Sequence, residues 1–137
     1  MNACIETVTH SRIKIEEHKR KATFLNPNGA TYQKGKVDGC LVTEGIRTDY
    51  FVNGEGRSVL IELKGCNVKH ACDQLFATAE HKDVKPYLTG KLGFLIICSR
   101  FPSHNTSIQL AMNKARKKYG AVFLVFTCER EVNILDF

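Results

Sequence analysis

A chain of 137 residues fits one domain with room for a buried core. Hydrophobic residues make up 43% and charged residues 25%, a globular composition, and no apolar run approaches the roughly 20 residues that span a bilayer, which excludes a membrane partner of that kind. The net charge of +6 favours an anionic partner, nucleic acid first, although charge alone is a weak argument.

The first 21 residues turn polar early and lack the apolar stretch of a signal peptide, which sets the expectation of a cytoplasmic protein. Cys4, Cys40, Cys66, Cys72, Cys98 and Cys128 sit mostly inside apolar segments, so thiols rather than disulfides are expected. Cys66, His70 and Cys72 lack a fourth ligand at zinc spacing. His10, His18, His70, His81 and His104 show no metal-ligand spacing among themselves.

Residues 11–21 stay open between a helix and a strand, because Ile13 and Ile15 alternate with polar residues. Asn26-Pro27-Asn28-Gly29 is a turn, followed by an extended stretch over 30–42. Residues 48–52 read as a strand, Asn53-Gly54-Glu55-Gly56 as a turn, and 58–64 as a second strand stopped by Gly65. Val68, Cys72, Leu75 and Ala79 recur at helical spacing, which predicts a helix over 68–82. The continuous apolar run over 92–99 predicts a strand covered on both faces. A second helix is expected over 107–119, ended by Gly120, then a buried strand over 121–127 and a short edge strand over 132–135. The order, a β-meander and then helix, strand, helix, strand, predicts an α/β fold. Its mixed central sheet is flanked on both sides by helices, in a single domain over 1–137.

The chemistry concentrates in the hairpin. If Asn53 pairs with Ser58, Val52 faces Val59, Phe51 faces Leu60, and Asp49 falls opposite Glu62. Residues so paired share a face, with Cβ atoms about 4.5–5.5 Å apart. Strand alternation puts Lys64 on that face as well. Two carboxylates this close repel unless a cation lies between them. Mg²⁺ takes oxygen ligands and keeps several waters, so two carboxylates, a backbone carbonyl and solvent suit it. A metal there lowers the pKa of a bound water, and Lys64 is placed to orient that water or balance a phosphate. The plainer reading makes Glu62 and Lys64 solvent-facing residues of a half-exposed strand. Against it, Val59-Leu60-Ile61 leads straight into Glu62, where charge is costly unless used or paired.

Asp49, a turn and then Ile61-Glu62-Leu63-Lys64-Gly65 resemble the PD-(D/E)xK nuclease superfamily, over about residues 37–100. The resemblance implies a restriction-endonuclease-like fold and a Mg²⁺ cofactor, with Mn²⁺ as substitute. It implies Asp49 and Glu62 as metal ligands, the Leu63 carbonyl as a third ligand, Lys64 as the catalytic lysine, and Gln74 at a position where some members carry a functional glutamine. Thr48 stands where the family often has proline. The family's N-terminal glutamate is open among Glu6, Glu16 and Glu17. The implied activity is hydrolysis of phosphodiester bonds in DNA, structure-selective or weakly sequence-specific because the chain leaves little room for a separate reading domain. A homodimer would cut both strands. The alternative is a catalytically inactive module of the same fold, serving nucleic-acid binding or protein interaction. A nucleotide-binding α/β protein is disfavoured by the lack of a glycine-rich phosphate loop.

Asp38 either adds a ligand beside the site or is a turn aspartate before Gly39. Lys114, Arg116, Lys117 and Lys118 either answer the helix dipole or grip a phosphate backbone.

Overall fold

Ile13 and Ile15 are buried while Arg12, Lys14 and Glu16 are exposed, the period-two pattern of a strand with one covered face. The structure is a computed structural model that describes residues 3–17, 19–45, 47–63, 67–99 and 106–137. In it this segment is the strand β2 (Arg12–Glu17), which pairs antiparallel with β3 (Arg20–Leu25). The chain's other end completes the sheet, where β9 (Glu129–Val132) runs parallel to β3 and is followed by a 3-10 turn over Ile134–Asp136. The edge strand expected over 132–135 therefore lies a few residues earlier.

The larger sheet has six strands in the order β1 (Ile5–Val8), β4 (Tyr32–Lys36), β5 (Tyr50–Gly54), β6 (Arg57–Glu62), β7 (Lys91–Cys98) and β8 (Val122–Thr127). Its first four strands are antiparallel; β6, β7 and β8 are parallel, with α1 (Val68–Ala79) and α2 (Thr106–Lys114) in the two crossovers. The helix expected over 68–82 stops earlier, at Ala79. The second helix passes into a π-helical turn over Ala115–Tyr119 and ends at Gly120, whose φ of 61° is left-handed.

The fold is mixed α/β, but the large sheet is not sandwiched between helices. Phe51, Leu60, Phe94, Ile96 and Phe123 face Leu75, Phe76 and Ala79 of α1 and Ile108 and Ala111 of α2, so both helices lie on one side. Val52, Val59, Ile61, Leu95 and Ile97 face Ile13, Ile15, Ala22, Phe24 and Val132 of the small sheet. The physical reason is residue 11–21 alternation: a strand with one apolar face buries it flat against another sheet, and so takes the place expected of a helix. The apolar run of β7 is covered on both faces, as its composition requires.

The β5–β6 register is the expected one, with Asn53 opposite Ser58, Val52 opposite Val59 and Phe51 opposite Leu60. Pairing continues to Gly54 and Arg57, so the turn contains two residues rather than four. Glu55 (φ 51°) and Gly56 (φ 73°) both take left-handed backbone, the combination that matches strand twist in a tight hairpin. On β4, Gly35 lets Phe51 pack down on the sheet; a Cβ there would run into the Phe51 ring.

Cys4 and Cys40 form a disulfide, against the expectation of thiols throughout. Antiparallel pairing of Ile5 with Gly35 brings the start of β1 beside the turn after β4, and the two Cα atoms lie 5.7 Å apart. Cys72 is buried and Cys128 exposed. Among the described residues, no helix is long and apolar enough to cross a membrane.

Candidate functional site

From Ser58 to Glu62 every residue of β6 is buried, because β5 and β7 flank the strand and apolar layers cover both its faces. Leu60 faces the helices, and alternation carries Glu62 to the same side, at 0% exposure. Asp49, just before β5, is 1% exposed. The paired ladder closes at Tyr50 and Ile61, so the expected Asp49–Glu62 opposition falls one step beyond it. There the Asp49 amide donates to the Ile61 carbonyl at 3.2 Å, and its Oδ2 accepts the Leu63 amide at 2.7 Å. Asp49 is thus fastened to the residue that follows Glu62. Both acids end the same apolar hairpin.

Three neighbouring segments hold Asp49 in place. The amides of Val37 and Asp38 both donate to its carbonyl, at 2.9 and 3.3 Å, the two-to-one pattern of a β-bulge. The Thr48 amide, fully buried, donates to Thr78 Oγ1 at 2.8 Å. Gln74 Nε2 donates to the Arg47 carbonyl at 2.9 Å, and Arg47 Nε donates to Asp38 Oδ1 at 2.7 Å. Helix α1 therefore clamps the strand entry through Gln74 and Thr78. Sequence reasoning missed Thr78, although its spacing of four from Gln74 on one helix face was the available signal. Asp38 is ion-paired to Arg47, and Gln74 has committed its amide to the backbone ahead of Asp49.

Lys64, assigned the catalytic role, lies outside the described residues, as does Cys66. Leu63 is buried, its side chain on the small-sheet side. Of the three candidate N-terminal glutamates, Glu6 and Glu16 are exposed on β1 and β2. Glu17 behaves differently. Burial pushes the Tyr50 phenol above its ordinary value, and the carboxylates of Glu17, Asp49 and Asp38 push it further. Glu17 thus lies near enough for its charge to act on Tyr50, and it does so from the end of a strand rather than from a helix.

Among the described residues no group of three or more His, Cys, Asp or Glu side chains could hold a metal ion. The two buried acids, Asp49 and Glu62, are hard-oxygen donors of the kind magnesium takes. The cations that close the second helix are engaged locally: Lys114 Nζ lies 4.5 Å from the Phe76 ring centre, Lys118 Nζ lies 3.7 Å from Glu80, and Arg116 donates to Asn113 at 3.3 Å.

No family model matches the chain, and neither a curated protein nor a solved structure does.

Proposed function

We propose that the chain is a Mg²⁺-dependent nuclease of the restriction-endonuclease-like class, hydrolysing phosphodiester bonds of DNA with structural or weak sequence selectivity. One observation carries the reading. Two carboxylates, Asp49 and Glu62, are buried at the end of an otherwise apolar hairpin, where acids are costly unless they have work to do.

Asp49, Glu62 and the Leu63 carbonyl would hold the cation, with Mn²⁺ as a substitute. A cation held there supplies a water of lowered pKa and a Lewis acid for the phosphate. The chain's own residues set the geometry. Leu63 N–H takes Asp49 Oδ2 and fixes the carboxylate against β6. Thr78 and Gln74 anchor the two residues before Asp49, so the acid stands on braced backbone rather than on a free loop. Lys64 is assigned to orient the attacking water and offset charge on the phosphate. The reading includes a homodimer and a cytoplasmic location.

The test pairs two measurements. Branched, linear and single-stranded DNAs are incubated with Mg²⁺, Mn²⁺ or chelator, and Mg²⁺ binding is followed by calorimetry. Chelator-sensitive cleavage, lost in Asp49→Ala and Glu62→Ala together with Mg²⁺ binding, is the expected result. Absence of metal binding even with DNA present would leave only the inactive module.

A further inference from the structure

Ser99 and Cys128 follow the last residues of β7 and β8, at the same carboxyl edge of the parallel strands where Glu62 ends β6. Open α/β sheets place their ligands at this edge. The start of β3 reaches it, where Lys21 N–H donates to the Cys128 carbonyl at 3.1 Å. Lys19, Arg20, Ser99 and Cys128 line a cleft there of about 520 Å³, within the range of ligand sites.

The two cations of this cleft are unlike their neighbours. Arg12 pairs with Glu131, Lys21 with Glu129 and Arg47 with Asp38. Lys19 and Arg20 have no acid partner among the described residues. Arg20 is half-buried, and its Nε is shielded from solvent with no hydrogen-bond partner among the described residues. A buried guanidinium N–H left unsatisfied calls for an acceptor that the described residues do not provide. Glu17 stands opposite Arg20 in the hairpin, and its charge acts on Tyr50.

We infer that this cleft holds one nucleotide of the bound strand, its phosphate on Arg20 and Lys19 and its sugar and base along the Cys128 wall. Arginine's planar fork suits a phosphate, and the cleft is larger than a bare phosphate needs. The inference rests on the nuclease reading and extends it. Glu62 is level with Ile96, and Ser99 lies three residues further along β7, a rise of about 10 Å. A strand cut at the acids would cross this edge within a few nucleotides.

The experiment runs in chelator, so cleavage plays no part. Binding of a short fluorescent single-stranded DNA and of inorganic phosphate is measured against salt for the whole chain and for Arg20→Ala, Arg20→Lys and Lys19→Ala. Thermal unfolding verifies that each variant is folded. Arg20→Ala should weaken DNA binding about tenfold and lower the slope of log affinity against log salt by about 0.7, the share of one phosphate on a single strand. Arg20→Lys should restore the slope and only part of the affinity. DNA should also slow alkylation of exposed Cys128, mapped by peptide mass, and leave buried Cys72, whose thiol is pushed up to about 11, unreactive as the internal reference. An Arg20→Ala protein with wild-type affinity and slope, or Cys128 unprotected by DNA, overturns the inference. Failure of an Arg20→Ala variant to fold shifts the test to exposed Lys19→Ala, read by the same slope. If wild type never cleaves but these effects appear, the nuclease reading falls while the nucleotide cleft stands.

Discussion

Asp49 Oδ2 accepts the backbone amide of Leu63 at 2.7 Å, so one of the two buried acids is also a structural cap on the strand that carries the other. Removing the carboxylate therefore has two separable effects. Asp49→Ala leaves the buried Leu63 amide without its acceptor, at a cost of about 1–3 kcal/mol. Asp49→Asn keeps an oxygen in the same place and should stay within about 1 kcal/mol of wild type, since only the charge is lost. Both variants should lose Mg²⁺ binding. Urea unfolding measures the first effect and calorimetry the second; equal stability of the two variants would mean that the Asp49–Leu63 bond contributes nothing.

Thr78 offers a sharper test of the clamp on the strand entry. Its hydroxyl accepts the Thr48 amide and donates to the Gln74 carbonyl, both at 2.8 Å, in a fully buried position. Thr78→Val keeps the shape and removes the acceptor, which should cost about 1–3 kcal/mol. Gln74→Ala should cost about 1 kcal/mol by freeing the Arg47 carbonyl. If Gln74 instead touches substrate, its loss should lower kcat with stability unchanged. Denaturation and single-turnover cleavage on the same samples separate these roles.

The hairpin was legible because each local signal agreed. A Gly-rich turn lay between two runs of aromatic and β-branched residues, and only one register buried Phe51, Val52, Val59 and Leu60 together. The small sheet was not legible, since Phe24 meets Val132 from the opposite end of the chain and no local pattern encodes that pairing. The helix layer expected on that side followed from element counting, while the alternation of Ile13 and Ile15 left residues 11–21 open between helix and strand. The Asp49 side chain was read as opposing Glu62, but its hydrogen bond to Leu63 arises where the ladder frays, and ladder geometry does not extend there. Thr78 escaped notice because a helical threonine among apolar residues more often serves packing alone.

Glu80 closes α1 and accepts a hydrogen bond from Tyr119 Oη at 2.8 Å. That hydroxyl first, then Lys85 and Lys118, holds the carboxyl below its ordinary 4.5. A carboxyl so lowered adds stability above its ordinary value and loses it as pH falls through the lowered one. Tyr119→Phe should therefore melt below wild type at neutral pH, with the gap narrowing as the solution is acidified past 4.5. Parallel melting curves across that range would show that the hydrogen bond is not coupled to the charge.

The disulfide governs how the turn beside the site is tethered. Cys4 and Cys40 are separated by 36 positions, and closing a loop of that size in the unfolded chain corresponds to roughly 4 kcal/mol of native stability. Reductant should lower the unfolding free energy of the wild type by about 2–4 kcal/mol. It should leave a Cys4→Ser, Cys40→Ser protein unchanged at that lower level. The double variant is the necessary control, because Cys72 and Cys128 also meet the reductant. A drop of equal size in both proteins would trace the effect to another thiol. The consequence reaches the acids as well. Cys40 shares its turn with Asp38, which holds Arg47 and whose amide donates to the Asp49 carbonyl. A reducing cytoplasm would open this bond, so Mg²⁺ binding measured with reductant is the value that applies there. It should be weaker than in the oxidised protein to the extent that the Asp38 turn loosens.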